Sequence, residues 1–168
     1  LRRDIMEIRH LNSNDDLSKI SHIYEESWKY AYKNIIPQTF LDSIPCGNWI
    51  PHLKDPEMNI LVMLDNGKFI GVSTYCRSRF SDFQDFGEIV SIYLLPEYMD
   101  KGIGKQLLDK TISELSNLNF KNIFLWVLEE NIRARKFYEK AGFILSGKTL
   151  DDNIGGKPLK ETAYIYNI

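Results

Sequence analysis

Residues 88–143 read EIVSIYLLPEYMDKGIGKQLLDKTISELSNLNFKNIFLWVLEENIRARKFYEKAGF, and the fold turns on this stretch. Its opening run, EIVSIYLL (88–95), is rich in β-branched and aromatic residues and stops at Pro96, which predicts a strand. Ile103, Leu107, Leu108, Ile112 and Leu115 then recur at three- and four-residue steps, the pattern of an amphipathic helix over 102–117. Residues 121–128, KNIFLWVL, are nearly all apolar, as in a strand covered on both faces. Strand, helix and strand in this order form a βαβ unit, so the two strands should be parallel with a right-handed crossover. A short helix is expected over 132–140, with Asn131 as its N-cap and Gly142 just past its end.

Working outward, NILVML (59–64) and FIGVSTYC (69–76) are joined through Asp65-Asn66-Gly67-Lys68, a strong hairpin signal. Before them stand a short strand over 6–11 and a helix beginning near Asn14 or Asp15, marked by Leu17, Ile20, Ile23, Tyr24 and Trp28. A second helix is expected from Pro37 through Phe40, Leu41 and Ile44, broken by Pro45 and Gly47. At the other end, two β-like runs, 143–150 and 160–168, flank the turn-rich DDNIGGKP. The order β-α-α-β-β-β-α-β-α-β-β predicts one α/β (α+β) domain over 6–168. Residues 1–5, LRRDI, precede Met6 and are set aside as an upstream extension.

The bulk properties narrow the function classes. A chain of 168 residues with 43% hydrophobic and 26% charged residues is ordinary globular material. At this length roughly 70% of the unfolded surface can be buried, so no disulfide or metal staple is needed. The net charge of -2 argues against broad contact with a phosphate backbone. Cys46 and Cys76 form no CxxC pair, and His10, His22 and His52 are scattered, so no metal site is expected. Reduced thiols, no apolar run of ~18 residues and no leader-like segment are the expectation for a cytoplasmic protein.

Gly102 and Gly104 lie at the predicted helix N-terminus, with Lys101 and Lys105 beside them. The first N–H groups of a helix lack internal partners and the macrodipole is positive there, so the place suits a phosphate or pyrophosphate. Two common phosphate motifs fail. A P-loop needs a glycine at Met99 and Ser or Thr at Gln106, and the dinucleotide fingerprint needs a third glycine where Leu107 stands.

These residues resemble the GNAT superfamily of acyl-CoA-dependent N-acyltransferases. Its phosphate motif, [QR]-x-x-G-x-[GA], corresponds to MDKGIG (99–104), and its N-x-x-A-x-x-F-Y-x-x-x-G-F pattern matches NIRARKFYEKAGF (131–143) at every named position. The resemblance implies a single GNAT-type domain: a mixed, mostly antiparallel sheet with a central, splayed parallel strand pair and flanking helices. It implies acetyl-CoA as cosubstrate and no metal. The loop of Met99, Asp100, Lys101, Gly102, Ile103, Gly104 and Lys105 would hold the CoA pyrophosphate. Ile92, Tyr93 and Leu94 would run along the pantetheine, and Asn131 and Ala134 would meet the cofactor arm. Tyr138 would stand near the sulfur as general acid. Seven residues are two helical turns, so Asn131 and Tyr138 share a face with Ala134 between them. Plainer roles remain open: Asn131 as a helix cap, Tyr138 as a core aromatic beside Phe137.

The sequence departs from the pattern at two places. Met99 replaces the usual Arg or Gln, and Asp100 adds a negative charge that would cost roughly 0.5 kcal/mol against a phosphate charge ~8 Å away in water.

Only a neutral amine attacks a thioester, and deprotonating an alkylamine at pH 7 costs about 4.6 kcal/mol. Glu88, eleven residues before Met99, occupies the place of the general-base glutamate found in some members; an ordinary strand-end carboxylate is the alternative. Trp28, Tyr32 and Phe80 would wall the acceptor, with Asp82, Phe83, Asp85 and Phe86 nearby. Aromatics with carboxylates suit a cationic amine such as a polyamine. A protein amino group is a further acceptor class, a homodimer a further partner that the resemblance allows, and a non-catalytic acyl-CoA sensor the competing function. Nucleic-acid and membrane partners are not expected.

Overall fold

In the computed structural model, which describes residues 6–168, the hairpin forms where Asn66-Gly67 predicts it. β2 (Asn59–Asp65) turns into β3 (Lys68–Arg77) with both turn residues at positive φ, 47° and 83°. β1 (Met6–His10) lies antiparallel on the far side of β2, and β4 (Gly87–Leu94) lies antiparallel beside β3. β5 (Asn122–Leu128), β7 (Lys157–Asn167) and β6 (Ile144–Ile154) complete a seven-stranded sheet of order β1-β2-β3-β4-β5-β7-β6. Only β4 and β5 are parallel, as the βαβ pattern requires.

The helices cover both faces. α1 (Leu17–Ala31) starts at Asp16, whose side chain accepts from the N–H groups of Ser18 and Lys19. α2 (Gln38–Ser43) follows, shorter than expected. A one-turn helix, α3 (Ile50–Leu53), forms beyond Pro45 and Gly47, where no helix was expected, with Pro51 in its first turn. α4 (Ile103–Asn117) crosses the opposite face and α5 (Ile132–Lys140) follows β5. Strand alternation sorts the residues: Ser73 meets Thr111 of α4 (2.9 Å between hydroxyls), whereas Thr74, Ser91 and Tyr93 turn toward α1 and α3.

The C-terminal hairpin corrects the sequence reading. DDNIGGKP is not a loop between separated strands: β6 and β7 pair without interruption from Thr149 opposite Thr162 to Ile154 opposite Lys157. Gly155 and Gly156 form the two-residue turn, with φ of 62° and 84°. Two glycines supply the twist that such turns need, so the polar residues before them stay in the ladder.

Candidate active site

β4 and β5 pair through Gly87 opposite Ile123 and Glu88 opposite Phe124, and beyond these the strands part. From Ile89 to Leu94 one backbone edge of β4 therefore has no strand beside it. Leu94 buries its side chain on the α4 face, and Tyr93 turns to the other, its ring 5.2 Å from Tyr24. What the strand offers the splay is main chain.

The edge leads to the N-terminus of α4. Gly102 is the N-cap at φ 76° and brings no side-chain acceptor to the first turn. A Cβ there would meet no protein atom within 4 Å, so the position is open on the outside, which suits close approach by a ligand. Asp100 also takes positive φ (59°), reversing the chain into the loop.

Asp100 is not left as a bare charge. Arg133 of α5 places Nη2 3.0 Å from its Oδ1, and Nη1 3.0 Å from the sulfur of Met99. Its guanidinium also lies over the Tyr30 ring at 5.6 Å. A cation thus reaches the loop from another helix, at the two positions where the motif is irregular. Nothing in the sequence announces this, because Arg133 falls at an unspecified place in its own motif. Lys105 pairs with Asp109 at 2.6 Å on the exposed side of α4.

Asn131 and Tyr138 stand on one face of α5, as their spacing predicts. Asn131 is buried and caps the helix through Oδ1 to the Ala134 N–H (3.2 Å); its NH₂ has no partner among the described residues. Tyr138 packs edge-on against Phe137 (5.2 Å) and Phe143 (5.6 Å). Its hydroxyl makes no hydrogen bond among the described residues, and burial holds its pKa well above the usual phenol value.

Glu88 is 1% exposed and held by Arg79, a residue the sequence reading overlooked. Arg79 donates from Nη2 to Oε1 (2.7 Å), and from Nε and its backbone N–H to Oε2 (3.1 Å each). Burial and the Glu88 charge push the neighbouring Cys76 thiol up to about 11, so it stays unreactive.

Nearby runs a chain of polar groups: His52 Nε2 to Thr74 Oγ1 (3.1 Å), Thr74 to Ser91 (2.7 Å), Ser91 to the Tyr24 hydroxyl (3.0 Å). Burial first, then Arg79, lowers the pKa of His52 and favours its neutral form.

The expected acceptor wall divides in two. Trp28 and Tyr32 of α1 meet at 4.9 Å, and the Tyr32 hydroxyl is 3.0 Å from that of Tyr93. Burial raises the Tyr32 pKa to about 12. Phe80 lies apart, against Phe124 and Trp126 of β5. Phe83 stacks on Phe124 at 4.2 Å and fills core; Asp82 and Asp85 are exposed.

Two surface clefts, of about 240 and 920 Å³, include neither Glu88, Asn131 nor Tyr138. Among the described residues no group of three His, Cys, Asp or Glu side chains could hold a metal ion, and no helix is long and apolar enough to cross a membrane.

Comparison with known proteins identifies the family and the fold. Residues 17–143 match the profile of the Acetyltransferase (GNAT) family. An N-acetyltransferase of Archaeoglobus fulgidus is 32% identical over 141 residues, 79% of this chain and 89% of the relative. Spermidine N(1)-acetyltransferase of Thermoplasma acidophilum is 27% identical over 168 residues, covering 95% and 98%. Among solved structures, the PaiA N-acetyltransferase of Thermoplasma acidophilum in complex with coenzyme A superposes with a TM-score of 0.76 at 22% identity, over 98% of this chain and 99% of that one.

Proposed function

The chain belongs to the GNAT family of acetyltransferases, and on that premise we propose that it transfers the acetyl group of acetyl-CoA directly to an amine, of a small molecule or of a protein. One observation carries the reading: an unpaired edge of β4 runs from Glu88 to an α4 N-terminus that is open at Gly102. The residues fit acetyl-CoA along this whole line. The backbone N–H groups from Lys101 to Lys105, with Arg133 beside them, suit the pyrophosphate. The free edge from Ile89 to Leu94 can hydrogen-bond the amides of the pantetheine arm, as a strand would, and the Asn131 NH₂ can donate to the same arm. When bound, acetyl-CoA supplies the acetyl group as an activated thioester.

Two proton tasks fall to the protein. The acceptor must lose a proton to become nucleophilic, a step worth about 4.6 kcal/mol for an alkylamine at pH 7. Glu88 is the proposed acceptor of that proton. Both of its oxygens already bind Arg79, so the route runs through water rather than by direct contact. The second task is to protonate the departing sulfur. Tyr138 keeps its proton at neutral pH and has it uncommitted, which supports its role as the acid. The similarity to a spermidine acetyltransferase supports a cationic amine as acceptor.

Thermal unfolding with acetyl-CoA, CoA, ATP and NAD tests the reading. A ligand at about 100 times its Kd adds about 2.7 kcal/mol. The midpoint should rise with acetyl-CoA and CoA alone; a flat response, or a rise with ATP alone, would refute it.

A further inference from the structure

β7 carries a carboxylate that neither proton task uses. Glu161 stands opposite Leu128 of β5 and Leu150 of β6. Residues directly opposite share a face, and so do alternate residues of one strand. Glu161 therefore lies on the face of Phe124, Trp126 and Leu128, and Glu88, opposite Phe124, lies there too. Leu128 belongs to a buried cluster, with Ile36, Leu41 and Leu159, against which Trp28 and Tyr32 of α1 pack. Burial is the main cause of the raised pKa of the Tyr32 and Tyr93 hydroxyls, and the Glu161 charge adds to both. This places the carboxylate across the splay from β4, on the wall that α1 closes.

Its surroundings do not compensate the charge. Among the described residues the Glu161 carboxylate makes no hydrogen bond and no ion pair. Neighbouring cations of β7 are engaged elsewhere: Lys157 donates to the Ile35 carbonyl at 2.7 Å, and Lys160 lies 3.9 Å from Asp151. Burial, then the like charge of Asp152, pushes the Glu161 carboxyl above its ordinary range. A partly buried carboxylate without a partner weakens the fold, and such groups mark places where a ligand completes the pairing. The aromatic rings of Trp28, Tyr32 and Tyr93, which gather on this face, favour a cation through their π-faces.

We propose that Glu161 binds the second ammonium of a dicationic acceptor, a diamine or polyamine, while the amine at its other end is acetylated. The assignment rests on the acetyl-transfer reading and adds the acceptor's charge pattern to it. Glu161 is then a specificity residue: it selects among amines and takes no proton from them.

Initial rates with acetyl-CoA and either 1,4-diaminobutane or n-butylamine separate the two ideas, because the monoamine has the same carbon chain and one ammonium. The wild type should favour the diamine by about tenfold or more in kcat/KM, the scale of one hydrogen bond to a charged group. Glu161→Gln should erase the preference through KM for the diamine and leave butylamine unchanged; Glu161→Asp should restore part of it. The unliganded Glu161→Gln protein should melt at the wild-type temperature or higher, since an unpaired charge has gone. Equal use of both amines by the wild type, an equal loss on both in Glu161→Gln, or a lower melting point overturns the role of Glu161 and leaves acetyl transfer standing. Turnover of neither amine, with a melting shift by acetyl-CoA retained, also rejects a diamine acceptor. Loss of that shift rejects the acetyl-transfer reading itself.

Discussion

Tyr138 offers the sharpest test at the scale of single residues. Tyr138→Phe keeps the ring that packs on Phe137 and Phe143 and removes only the hydroxyl. With the proton donor gone, kcat should fall about 10²-fold, the lower end for general acid catalysis, with KM for acetyl-CoA unchanged. Steady-state kinetics decides: parallel loss of binding would make Tyr138 a core aromatic. That Asn131 and Tyr138 share a face was legible in the sequence, because seven residues are two helical turns; the roles proposed for them come from the family resemblance. Arg79, Arg133, His52 and Glu161 were not legible. Each matters through a neighbour supplied by another element, such as Asp100 for Arg133, 33 residues away. Glu88 sits between the two cases. Its position could be read along the strand, but its ion pair with Arg79 could not.

Among the elements, the β6–β7 hairpin shows where local reading fails. Asp151, Asp152 and Asn153 have turn chemistry, yet they pair as strand because Gly155-Gly156 closes the hairpin in two residues. Turn propensity lost to a ladder that runs on from Thr149 opposite Thr162 to the two-glycine turn. Alanine at the two glycines should separate strain from contact. Gly156→Ala meets no protein atom within 4 Å and bears only the cost of positive φ, about 1–2 kcal/mol. Gly155→Ala adds a Cβ 2.7 Å from that of Phe40 in α2 and should lose more. Urea midpoints at constant m-value would measure both, and equal losses would mean that α2 yields freely. The βαβ unit, by contrast, was legible because its apolar residues repeat at the helix and strand periods and Pro96 ends the first strand.

For the whole molecule, the splay sets how binding should be felt. Acetyl-CoA along the β4 edge would slow amide exchange over Ile89–Leu94 and the first turn of α4, while the β6–β7 hairpin exchanges as before. Hydrogen exchange with and without ligand reads this out, and uniform slowing throughout the sheet would mean that binding acts through global stability instead. The seam between β4 and β5 also divides the chain at a single point: β1 to β4 come wholly before it in sequence, β5 to β7 wholly after. On the ribosome, every strand pairing of the first half is therefore available before residue 122 has been made. The second half then registers against a sheet already formed through the parallel contact at Gly87 and Glu88, so the seam that admits the cosubstrate is also the join between the half of the sheet made first and the half made last.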